Sequence, residues 1–117
     1  MTKYQITGQK GEELARQYFE NKEYEILHTN WRYGHLELDI IAKKNGMIHF
    51  IEVKTLVEGS AGLPEESVNR KKLLHLIKAA EMFMLTAKFT GLIQFDVLAI
   101  ILKDIDHEFF LLEDVYF

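Results

Sequence analysis

Asp39, Glu52 and Lys54 are the residues whose types and spacing could do chemistry together. All lie in the stretch LELDIIAKKNGMIHFIEVKTL, residues 36–56. Within it FIEVKT, residues 50–55, puts an acid and a base inside one of the most apolar strand-like runs of the chain. Charged groups lose their water when such a strand packs, so they must be compensated or put to use. Asn45-Gly46 between two apolar runs is a strong hairpin signal, which predicts that residues 36–43 and 47–56 pair antiparallel. A hairpin centred there pairs residues whose numbers sum to about 91, which sets Asp39 opposite Glu52. Alternation along each strand then puts Glu37 and Asp39 on one face, Leu38 and Ile40 on the other, and Glu52 with Lys54 on one face of the partner.

Like charges placed opposite each other destabilise a sheet unless a cation neutralises them. A hard divalent ion such as Mg²⁺, or Mn²⁺ in its place, takes one or two carboxylates and completes its shell with water and substrate phosphates. A lysine one pleat away would face that water and a phosphate, an arrangement suited to phosphodiester hydrolysis. The plainer reading is a solvated strand face whose acids pair with rim lysines, and such charge runs are more common than active sites.

The elements that must hold these residues follow from periodicity. Residues 8–20 read as a first helix, with Leu14, Ala15, Tyr18 and Phe19 at helical spacing. Residues 24–31 read as a strand closed by a turn at Arg32-Tyr33-Gly34, ahead of the hairpin. Residues 58–64 hold Gly59-Ser60-Ala61 and the only proline, so they read as a loop. The longest helix is expected over residues 65–88, its buried stripe traced by Val68, Leu73, Leu76, Ile77, Ala80, Phe83 and Met84. IQFDVLAIIL, residues 93–102, reads as a strand buried on both faces, and residues 108–115 as an edge strand. The fold class is therefore α/β, a small mixed sheet flanked by helices in the order αβββαββ, with residues 1–117 forming a single domain.

Composition narrows the chemistry. Hydrophobic residues make up 48% and charged residues 27%, an ordinary globular balance, and there is no cysteine for a thiolate nucleophile, a disulfide or a cysteine zinc site. No pair of the five histidines has zinc-like spacing. The amino-terminal residues lack the apolar core of a signal peptide and no apolar run could cross a bilayer, so a cytoplasmic protein without membrane contact is expected. A net charge of −4 argues against coating nucleic acid by bulk electrostatics, but Arg70, Lys71 and Lys72 form a local basic cluster. At a helix start, these would hold phosphates as readily as they would make a solvated turn.

Asp39, then Glu52-Val53-Lys54 on the next strand, resembles the PD-(D/E)xK nuclease pattern, and the element order resembles the restriction-endonuclease-like core. GQKGEELA, ELDII, FIEVKT, VNRKKLLHLIKAA and FDVLAI resemble successive blocks of the YraN-like family of small bacterial proteins, itself similar to archaeal Holliday-junction resolvases. The likeness runs from Gly8 to Ile100; Leu38 stands where the pattern has its proline. The resemblance implies that Asp39 and Glu52, with the backbone carbonyl of Val53, hold the metal. It implies that Lys54 positions or deprotonates the attacking water, that Glu12 supports the metal site from the first helix, and that Glu37 matches a supporting acid. Glu13 is expected to be a solvated helix residue. Lys72 aligns with the basic residue opening the second long helix.

Among the remaining polar residues, Asp96 in its apolar strand is expected to be structural, bonded to the loop before the second helix. His35 and His49 would touch a phosphate or line the sheet edge. Trp31 is expected in the core, and Tyr33 near it could stack on an unpaired base. The leading expectation is a metal-dependent endonuclease acting on structured or branched DNA in repair or recombination, working as a homodimer if it cuts symmetric junctions. The rival is a nucleic-acid-binding module of the same fold without turnover, and a further rival is an interaction protein whose acidic carboxy-terminal strand docks a partner.

Overall fold

The computed structural model describes residues 3–59 and 70–115, with side chains from Gln9 onward within that range. Its elements are α1 (Lys3–Asn21), β1 (Glu25–Tyr33), β2 (Leu36–Lys44), β3 (Met47–Val57), α2 (Arg70–Ala87), β4 (Ile93–Leu102) and β5 (His107–Leu112). The order is the αβββαββ expected. The loop before α2 and the expected helical residues 65–69, Val68 among them, lie outside the described residues for all positions from 60 to 69.

The strands form one mixed sheet in sequential order, antiparallel except where β3 runs parallel to β4 through the α2 crossover. The β2–β3 turn has positive φ at Asn45 (53°) and Gly46 (75°), the primed geometry that matches strand twist and selects Asn-Gly. Its ladder runs from Lys44↔Met47 to Ile40↔Ile51, which is the register the turn implies.

Apolar residues divide between two layers. Ala15 and Phe19 of α1 pack with Ile40, Ala42, Ile51, Leu98 and Ile100. Ala79, Ala80 and Phe83 of α2 pack with Leu38, Ile48, Phe50 and Phe95. Phe50 and Ile51, neighbours on β3, therefore face opposite helices, and β4 is buried on both faces from Phe95 to Ile100, as expected of a central parallel strand. Fully burying a side chain such as Phe19 or Phe50 stabilises the fold by about 1.5–3 kcal/mol. The helix α1 approaches β3 closely at Gly11, where a Cβ would overlap the Thr55 side chain.

Asp96 is buried, and its partners among the described residues come from β3, its own strand and the segment after β5. Its carboxylate accepts the Asp114 amide (3.0 Å) and the Gln94 side-chain amide (2.8 Å), and it meets His49 Nδ1 at 2.8 Å. Asp96 thus fastens the segment after β5, while the loop before α2, its expected partner, lies outside the described residues from position 60 on; His49 is buried in the sheet rather than at its edge. The Val115 amide adds a bond to the Phe95 carbonyl (3.0 Å), and β5 itself ends at Leu112, short of the residue 115 expected. Trp31 packs edge-on against Phe83 within the α2 layer, and Tyr33, 48% exposed, stacks on Trp31. No helix among the described residues is long and apolar enough to cross a membrane.

Candidate functional site

The β2–β3 ladder stops at Ile40↔Ile51, one step short of Asp39 and Glu52. There Asp39 replaces the ladder with its side chain: its Oδ2 accepts the Val53 backbone N–H at 2.8 Å. The alternation of β2 also changes phase at this residue. Leu36 and Leu38 belong to the α2 layer, whereas Ile40 and Ala42 belong to the α1 layer. Two expectations are corrected accordingly: Leu38 and Ile40 do not share a face, and Asp39 is not Glu52's ladder partner. A side chain bonded into the fork between two strands takes the place of a cross-strand pair.

The two carboxylates nevertheless converge. Asp39 and Glu52 line one cavity of about 220 Å³ together with His35, Leu36, Glu37, Lys72, His75 and Leu76. Burial pushes the Asp39 carboxyl up to about 6; the Val53 amide and Lys72 pull it down, while Glu52 and Glu37 push it further up. Glu52 is 7% exposed. Its Oε1 is ion-paired with Lys72 Nζ, which reaches across from α2, while its Oε2 is buried with no hydrogen-bond partner among the described residues. A buried charged oxygen left unbonded costs about 1–3 kcal/mol or more. A buried carboxylate oxygen without a partner among the described residues, on a side chain that lines a cavity with a second, reluctant acid, fits the oxygen ligands of a hard cation. Among the described residues no group of three or more acidic or histidine side chains could cage an ion, so a cation here would rest on the two carboxylates and fill its shell with water and substrate oxygens.

The other expected residues stand at different distances from this cavity. Glu37 lines it, 3.5 Å from the Arg32 guanidinium across the β1–β2 turn. Lys54 follows Glu52 by two residues on β3, so it shares that face, half-buried one pleat away, but it does not line the cavity. Val53 engages the site through its amide on Asp39; no contact of its carbonyl with the cavity is present among the described residues. Glu12 is exposed on α1, the helix of the opposite layer, next to the Gly11–Thr55 approach, and does not line the cavity. Glu13 is likewise exposed, ion-paired with Arg16. Arg70 and Lys71 are exposed at the start of α2, beside the half-buried Lys72.

Sequence reasoning missed two features. His75 was not singled out, yet it lines the cavity with His35, already a candidate for phosphate contact, their rings edge to face at 6.1 Å between centroids. Lys72 is Glu52's ion-pair partner rather than only a member of a surface cluster. The available signal was the spacing of Lys72, His75 and Leu76, which places them on one face of α2.

A family model described as uncharacterised protein family UPF0102 matches residues 11–100. A UPF0102 protein of Bacteroides fragilis is 36% identical over 88% of this chain and 85% of its own length. One from Christiangramia forsetii is 36% identical over all of this chain and 98% of its own. One from Cytophaga hutchinsonii reaches 42% over 80% of this chain and 82% of its own.

Proposed function

This chain belongs to the uncharacterised protein family UPF0102, and we propose that it is a metal-dependent endonuclease that hydrolyses phosphodiester bonds in DNA of branched or otherwise unusual structure. The observation that carries this reading is the buried Oε2 of Glu52, without a hydrogen-bond partner among the described residues, in one cavity with an Asp39 whose carboxyl is raised to about 6. Two acids held this close in a cavity are costly unless a cation shares them.

Asp39 and Glu52 would hold the ion, Mg²⁺ or Mn²⁺, with Asp39 fixed in position by the Val53 amide. The bound cation supplies a polarised phosphoryl oxygen and an acidified water. Lys54, on the face of Glu52, stabilises charge that develops on the phosphate, and Arg70 and Lys71 at the start of α2 bind the backbone on either side. The arrangement serves repair or recombination in the cytoplasm, and a homodimer would present paired cavities to the two strands of a symmetric junction.

A panel of linear, flapped and four-way DNA substrates with Mn²⁺ tests the proposal. Cleavage is expected from the wild-type chain and a loss of at least 100-fold from Asp39→Ala, in line with removal of a positioned electrostatic group. Undiminished cutting by that variant eliminates the reading. The second reading, a nucleic-acid-binding module without turnover, is favoured by one observation: Lys54 does not line the cavity. That reading predicts binding to the same panel with no cleavage under any metal.

A further inference from the structure

The amine nearest the carboxylates comes from the helix, not the strand. Lys72 lines the cavity and is ion-paired with Glu52 Oε1, whereas Lys54 does neither. Its side chain is 38% exposed while that of Glu52 is 8%, so a flexible, solvent-reaching ammonium plugs a nearly closed carboxylate. Its charge also lowers the Asp39 carboxyl, against the push of burial and of Glu52. An ammonium paired with one acid and acting through space on the other does electrostatically part of what a bound cation would do, and both cannot remain against Glu52 without strong repulsion.

Resting on the metal-site reading above, we propose that Lys72 is a built-in counter-ion of this cavity, which a divalent cation displaces. With a cation bound, Glu52 would turn from the ammonium to the cation, and Lys72, released from Glu52, would come within reach of a phosphate arriving beside Arg70 and Lys71. The cavity is then partly neutralised while empty and becomes receptive to polyanions once loaded, so metal precedes nucleic acid. Lys72 is on this account a positioning residue of regulated availability.

Calorimetric titration with Mn²⁺ of the wild-type chain, Lys72→Met and Lys78→Met, the last replacing an exposed lysine of the same helix, tests this without any measurement of cleavage. Removing the competitor is expected to tighten Mn²⁺ binding on the order of tenfold in Lys72→Met, equivalent to about 1.4 kcal/mol, and to leave Lys78→Met unchanged. Unchanged or weaker binding in Lys72→Met, with wild-type binding intact, overturns the counter-ion role alone. No Mn²⁺ binding by the wild-type chain overturns the metal site and this inference with it. Should Lys72→Met fail to fold, amine acylation of the wild-type chain read by mass spectrometry decides: Lys72 labelling rises several-fold on adding Mg²⁺ if the ion displaces it, and stays constant if it does not.

Discussion

Asp39 carries the pH behaviour of the site. Its folded value of about 6 lies above the ordinary 3.8, so between those values the folded chain binds more protons than the unfolded one. Stability from this group is therefore present below about pH 4 and is lost as pH rises through about 6. The shift corresponds to roughly 3 kcal/mol at most. Asp39→Asn keeps an oxygen for the Val53 amide without the charge. It is expected to melt higher than wild type at pH 7.5 and to match it near pH 4, as read by thermal unfolding without metal. A variant that melts lower at both pH values would show that the carboxylate is not the strained partner described here. The acids themselves were legible in the sequence because charge inside an apolar strand is rare. Lys72's partner was not, because its contact with Glu52 depends on how α2 lies across the sheet, and spacing along one helix does not specify that.

At the scale of elements, α1 ends in a motif that usually employs glycine. Glu23 adopts φ 67°, with the Tyr24 amide bonded to the Phe19 carbonyl (3.0 Å) and the Glu23 amide to the Glu20 carbonyl (3.0 Å). This six-to-one, five-to-two pattern is a Schellman end, and Tyr24 packs edge-on against Phe19 to complete it. Glu23→Gly is expected to stabilise the chain by about 1 kcal/mol, seen as a higher denaturant midpoint at unchanged slope. The carboxy-terminal segment hangs on Asp96, which binds His49 of β3, Gln94 of its own strand and the Asp114 amide. Asp96→Ala removes three partners' bonds from a buried position and is expected to cost about 3–5 kcal/mol in chemical denaturation. A cost under 1 kcal/mol would mean the network is slack. The hairpin register was readable because Asn-Gly permits one turn geometry. The phase change at Asp39 was not, because alternation assumes an unbroken ladder and the break comes from a side chain bonding into the fork.

For the molecule as a whole, both helices cover one central sheet, and the carboxylate cavity opens where β2, β3 and α2 meet, at the point the β2–β3 ladder splays. On the proposed function, this junction would let an acidic chain of net charge −4 meet a phosphate locally, with Lys72 lining the cavity and Arg70 and Lys71 exposed at the start of α2. The layer order was legible because two helical stripes flank strands with continuous apolar runs. What lines the cavity was not, since it takes residues from the β1–β2 turn, two strands and a helix that are far apart along the chain. The central claim is that Asp39 and Glu52 jointly bind one divalent cation. Titrating Mn²⁺ into the wild-type chain, Asp39→Asn and Glu52→Gln by calorimetry tests it most directly. One ion per chain in the wild type and at least a tenfold weaker affinity in each variant is the predicted result. Equal binding by all three proteins, or none by the wild type, would contradict it.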